Sequence, residues 1–133
     1  MQKVATLYIY TEDDPNFQSS AERQISKTEF EIVIAEKADA QYLKGANLQN
    51  TLENRISIIA HELGHFLNSL ENNPTQSPLY ALINGHFDAE RTAWEKAEKM
   101  GIPINQDVKN LSLSDYAKDE GRTYVPNSNG RRK

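Results

Sequence analysis

Apolar and polar positions alternate in two short stretches near the start of the chain and then change to a helical period. Val4 to Tyr10, VATLYIY, and Phe30 to Ala35, FEIVIA, combine branched and aromatic residues in the manner of strands, and the two can pair in one small sheet. Thr11 to Asn16 reads as a turn or loop, and a short helix is possible near Ser20 to Ser26. Ala38 to Gly45 fits either a third strand or a short helix. From Asn50 the period becomes 3.6. Leu48, Leu52, Ile56, Ile59, Leu63, Phe66 or Leu67, and Leu70 form one stripe, which Asn72–Asn73–Pro74 ends. Asn50 is the expected cap, with Glu53 completing a capping box.

Leu79 to Ile83 fits a short turn or a helix lead-in. A second helix is predicted from about Gly85 or His86 to Met100, stopped by Gly101 and Pro103. Residues 104 to 111 read as a connection, and Ser112–Leu113–Ser114–Asp115 as a further helix start running to about Glu120. The reading is an α+β fold: a short N-terminal sheet packed on a central helix, with one or two helices after it. Residues 1–120 form one domain on this reading, and 121–133 a disordered tail.

Composition narrows the function classes. The 133 residues suit one compact domain, and 38% hydrophobic content is enough for a core. No stretch reaches the roughly 20 apolar residues of a membrane span. The first ten residues lack the apolar run and cleavage site of a secretory signal, so the cytoplasm is expected. With no cysteine, disulfides, zinc ribbons and cysteine nucleophiles are excluded. A net charge of −4 and the absence of a basic stripe argue against a nucleic-acid partner. Arg131–Arg132–Lys133 is read as a solvated end.

The central helix carries His61–Glu62–Leu63–Gly64–His65, an HExxH motif. Residues four apart share a helical face, so His61 and His65 can grip one metal ion, for which zinc is the natural choice. Glu62 projects off that face, where it can accept a proton from water that the metal activates. The apolar stripe centres nearly opposite the two histidines, which places one side of the helix on a core and the histidines on the other; Ile58 flanks the histidine face, so that face is expected to be covered too.

Catalytic zinc takes three protein ligands. Glu71, His86, Asp88, Glu90 and Glu95 are the candidates downstream. On the second helix Glu90 shares a face with Ile83, His86, Phe87, Ala93, Trp94 and Ala97, while Asp88, Arg91, Glu95 and Lys99 take the charged face. A carboxylate inside an apolar stripe needs a cation or a metal, so Glu90 is preferred as third ligand. Glu71 is the rival. It lies ten residues after His61, but Asn68 stands at the turn position where a glycine would suit the required bend. His86 is either structural, a partner of a ligand, or a group polarising a substrate carbonyl.

HELGH, followed after some 25 residues by Glu90 to Trp94, ERTAW, resembles the gluzincin group of zincin metallopeptidases. It is particularly similar to the small ImmA/IrrE-like and phage or mobile-element metallopeptidases. The resemblance covers roughly residues 50 to 100. It implies a zincin-like domain in which His61, His65 and Glu90 bind Zn2+ and Glu62 is the catalytic glutamate. It also implies a cytoplasmic enzyme that cuts a peptide or protein substrate. Repressor cleavage, frequent in those families, is not carried over, because this chain shows no helix-turn-helix. The mechanism so implied is hydrolysis by a zinc-activated water with Glu62 as general base. His86 or Tyr80 are the candidates for a further donor to the oxyanion, and the N-terminal strands could offer an edge to an extended peptide. Two other classes compete: an inactive zincin-like module acting through protein contacts, and a structural helical protein in which HELGH is accidental.

Overall fold

The computed structural model describes residues 4–10, 21–49 and 51–124. Within them the order is β1 (Val4–Tyr10), β2 (Ala21–Gln24), β3 (Glu29–Ala35), α1 (Glu36–Gly45), α2 (Leu52–Leu70), α3 (Pro78–Asn84), α4 (Phe87–Lys99) and α5 (Gln106–Asp119). A single 3-10 turn, Pro74–Gln76, joins α2 to α3. The molecule is α+β, and three helices rather than one or two follow the central one.

β3 is the middle strand of a three-stranded sheet, order β1-β3-β2. It pairs in parallel with β1, from Val4 opposite Glu29 to Tyr10 opposite Ala35. It pairs antiparallel with β2, from Ala21 opposite Val33 to Gln24 opposite Phe30. A middle strand covered on both faces calls for a continuous apolar run, and Ile32, Val33, Ile34 and Ala35 are all buried. The helix considered near Ser20 to Ser26 is not formed: 21–24 are β2, and Ser20 lies outside the described residues. The Ser26 side chain decides the local conformation. Its hydroxyl accepts from the Thr28 and Glu29 amides, at 3.3 and 3.1 Å, and closes the hairpin into β3.

The uncertain segment 38–45 is helical. α1 leaves β3 directly, with Glu36 and Asp39 in its first turn and Lys44 in its last, each matching the helix dipole. α2 is capped by Thr51, whose side chain accepts from the Asn54 amide, in place of the expected Asn50, which lies outside the described residues. The supposed connection 104–111 is largely the first part of α5. Asn105 accepts from the Asp107 and Val108 amides and starts the helix there, so Ser112 falls in its interior.

The histidine face of α2 is covered, as the flanking Ile58 suggested, but its apolar stripe is less buried than expected. Its most enclosed face is the histidine face: Asn54, Ser57, Ala60, His61, Gly64, His65 and Asn68 are buried. The apolar stripe is only half-buried, and Leu52 is exposed. Small and polar side chains allow α4 to lie closely along this face, whereas the stripe meets the small sheet through contacts such as Phe66 on Phe30, centroids 5.1 Å apart. Leu43, Trp94, Val108 and Leu113 form a core cluster joining α1, α4 and α5.

Five described residues, Glu120 to Tyr124, follow α5, and the last of them packs back onto the helices. Tyr124 packs on Phe87, and its hydroxyl donates to Asn110 Oδ1 at 2.9 Å. Residues 125–133, the rest of the supposed tail, lie outside the described residues. No helix among the described residues is long and apolar enough to cross a membrane.

Candidate metal centre

α2 and α4 bring three donors to one point. His61, His65 and Glu90 each offer an atom within 4.8 Å of the others, and all three side chains are buried. Glu90 Oε1 lies 2.8 Å from His61 Nε2, and Glu90 Oε2 lies 2.8 Å from His65 Nε2. This group could hold a metal ion.

Three local features set the geometry. The spacing of four residues on α2 stacks the histidines, ring centroids 4.7 Å apart. Trp94, one turn after Glu90 on α4, lies flat on His61 at 4.3 Å with an 8° tilt, which fixes the plane of that imidazole. Gln76 Oε1 faces His65 Nδ1 at 3.2 Å; accepting a proton there leaves the Nε2 lone pair free to face the centre. Glu62 Oε2 stands 3.5 Å from His61 Nδ1, on the other side of the same ring.

Helix α4 is held at both ends of its approach. At its start, the Glu120 carboxylate accepts from the His86 and Phe87 amides at 2.6 and 2.8 Å. Gly85 just before takes φ 86°, and a side chain there would run into that carboxylate. Further along, Gly64 abuts the Ala93 backbone and leaves no space for a β-carbon.

The electrostatics follow from burial and proximity. Burial alone would raise the Glu90 carboxyl, but the two imidazoles override it and hold the pKa at about 2. Burial would lower His61, yet Glu62 and then Glu90 raise it to about 9. His65 is also raised: burial opposes, and Glu90 prevails. The pair His61 Nε2 and Glu90 Oε1 is close but not aligned as a hydrogen bond, so both are buried atoms without a hydrogen-bond partner among the described residues. A buried imidazole nitrogen and a buried carboxylate oxygen left without hydrogen-bond partners match the requirement of a cation site.

The other sequence candidates lie elsewhere. Glu71 is ion-paired with Lys96. Glu95 is near Arg91, at 3.8 Å. Asp88 accepts from the Tyr80 hydroxyl at 2.6 Å and neighbours Arg122 at 3.6 Å. His86 is exposed at the start of α4.

Beside the centre is a cavity of about 360 Å³. His61, Glu62 and Trp94 line it, together with Asp39, Tyr42 and Tyr116 among others. Sequence reasoning did not reach Gln76, Tyr116 or Glu22, whose raised carboxyl reflects burial first and is opposed by the nearby His65. For Tyr116 a signal existed. Val108, Leu113 and Ala117 are buried on one side of α5, and a helix begun at Asn105 would have turned the adjacent tyrosine inward. Gln76, in a short turn, carries no such signal.

No family model, curated protein or solved structure matches the chain.

Proposed function

We propose that this protein is a zinc-dependent peptide-bond hydrolase, with His61, His65 and Glu90 holding the ion and Glu62 moving the proton. One observation carries this reading: three buried donor atoms from two helices, within 4.8 Å of one another, beside a cavity that Glu62 lines. Two imidazoles and one carboxylate are a donor set that suits zinc and leaves a coordination position open. Zinc held there would acidify water and polarise a carbonyl.

The rest of the chemistry belongs to the chain. Glu62 is buried, lines the cavity and lies next to a ligand in sequence without being one. Its carboxylate takes the proton from the attacking water and passes it to the leaving amine. Trp94 and Gln76 keep the two imidazoles in place, and the cavity admits a side chain of the substrate beside the reacting bond.

The test compares the zinc-reconstituted parent with Glu62→Gln on a mixture of fluorogenic peptides. The variant keeps one equivalent of zinc and loses turnover. Equal cleavage by both proteins would remove Glu62 from its role, and a parent that takes up no zinc would remove the metal reading altogether.

A further inference from the structure

A peptide-bond hydrolase needs a hydrogen-bond donor for the oxygen that becomes negative as water adds to the carbonyl. The two groups that the sequence offered do not serve. Tyr80 donates its hydroxyl to Asp88 at 2.6 Å, and His86 is exposed at the start of α4. Of the two tyrosines that line the cavity, Tyr42 gives its hydroxyl to Asp115.

Tyr116 differs from all of these. It lines, from α5, the cavity that His61 and Glu62 also line, and it is half-buried there. Among the described residues, its hydroxyl has no hydrogen-bond partner. Its pKa is raised by burial first and then by the carboxylates of Glu90 and Glu62, which puts the phenol within the field of the centre and keeps it a neutral donor. A half-enclosed hydroxyl without a protein acceptor, facing a site that generates an oxyanion, has a defined use.

We propose that the Tyr116 hydroxyl is the catalytic donor to the carbonyl oxygen of the bond being cut, acting from within the cavity that it lines together with Glu62. The role rests on the hydrolase reading above. The donor makes its strongest hydrogen bond when the oxygen carries charge, so it acts on kcat more than on KM.

The experiment uses the full chain loaded with zinc and a phosphinate isostere of Ala-Ala, whose tetrahedral anion mimics that oxygen. Binding is followed by the fluorescence of Trp94, the sole tryptophan, which stacks on His61. Tyr116→Phe retains its zinc, binds the phosphinate at least about tenfold more weakly, and loses on the order of a hundredfold in kcat with KM little changed. Tyr42→Phe binds the phosphinate as the parent does. A Tyr116→Phe protein with parental phosphinate affinity overturns the proposal and leaves the hydrolase reading standing. A zinc-loaded parent that neither binds the phosphinate nor cuts peptides overturns both.

Discussion

Gly64 and Ala93 meet so closely that a β-carbon on Gly64 would overlap the Ala93 carbonyl oxygen and stand 2.8 Å from the carbonyl carbon. Glycine inside a helix costs about 1 kcal/mol relative to alanine, so Gly64 weakens α2 in isolation. Its value is the approach of α4, which sets Glu90 against His61 and His65. The obstacle for any larger residue is backbone, which cannot rotate away. Gly64→Ala is therefore expected to destabilise the protein by about 1–3 kcal/mol despite the better helix former. It should weaken zinc binding as well, because α4 carries the third donor. Thermal unfolding and a zinc titration of the same sample check both effects, and a variant of parental stability and affinity would show that the helices have room to spare.

Gln76 acts one step removed from the centre. Its carbonyl oxygen faces His65 Nδ1 at 3.2 Å, which fixes the tautomer and the ring orientation. Partners of this kind typically change metal affinity about tenfold to a hundredfold. Gln76→Ala should lower zinc affinity by that amount and leave the fold intact, since the residue sits in a short turn. Competition with a chelator of known affinity measures the loss. Parental affinity in the variant would show that His65 needs no such support.

The sequence was most informative where one residue type at one spacing has few other uses. HELGH placed His61 and His65 on one face, and the isolated carboxylate in an apolar stripe singled out Glu90 before any coordinates; the structure brings these side chains together. It was least informative about which of the two covered faces of α2 is the more deeply buried. Periodicity reports where the large apolar groups are, but close helix pairing is made by small ones, and Ser57, Ala60, Gly64 and Asn68 leave no hydrophobic signature. β2 was missed for a related reason: AERQ has no strand pattern of its own and is ordered by its ladder to β3. α5 begins earlier than the Ser112–Asp115 signal because Asn105 caps it.

Glu120 holds the start of α4 from the far end of α5. Its carboxylate receives the His86 and Phe87 amides, two of the unpaired donors at a helix N-terminus. Glu120→Ala removes a charged cap and is expected to cost about 1–2 kcal/mol. Glu120→Gln can still accept and should lose less. Urea unfolding of both variants gives the comparison. If alanine and glutamine cost the same, the charge rather than the hydrogen bonds supplies the effect.

The metal-free protein has a definite pH dependence, whose sign follows from two opposed shifts. His61 is raised from 6.5 to about 9, so its stabilising contribution is complete below pH 6.5 and is lost as the pH rises through 9. Glu90 is lowered from 4.5 to about 2, so its contribution is complete above pH 4.5 and is lost as the pH falls through 2. The buried cluster therefore favours the folded state most between about pH 4.5 and 6.5 in the presence of a chelator. On the proposed reading, zinc would reverse the upper half of this profile, because it would displace the protons from both imidazoles and bind more tightly as the pH rises. Tm measured with chelator should fall from pH 6.5 to 9, while the increase in Tm on adding zinc should grow over the same interval. In Glu90→Gln the fall above pH 6.5 should be smaller but still present, since the carboxylate facing both histidines is gone while Glu62, the larger cause of the His61 shift, remains. A metal-free Tm that climbs steadily from pH 6.5 to 9 would mean that the imidazoles are buried neutral and that Glu62 and Glu90 do not hold their protons.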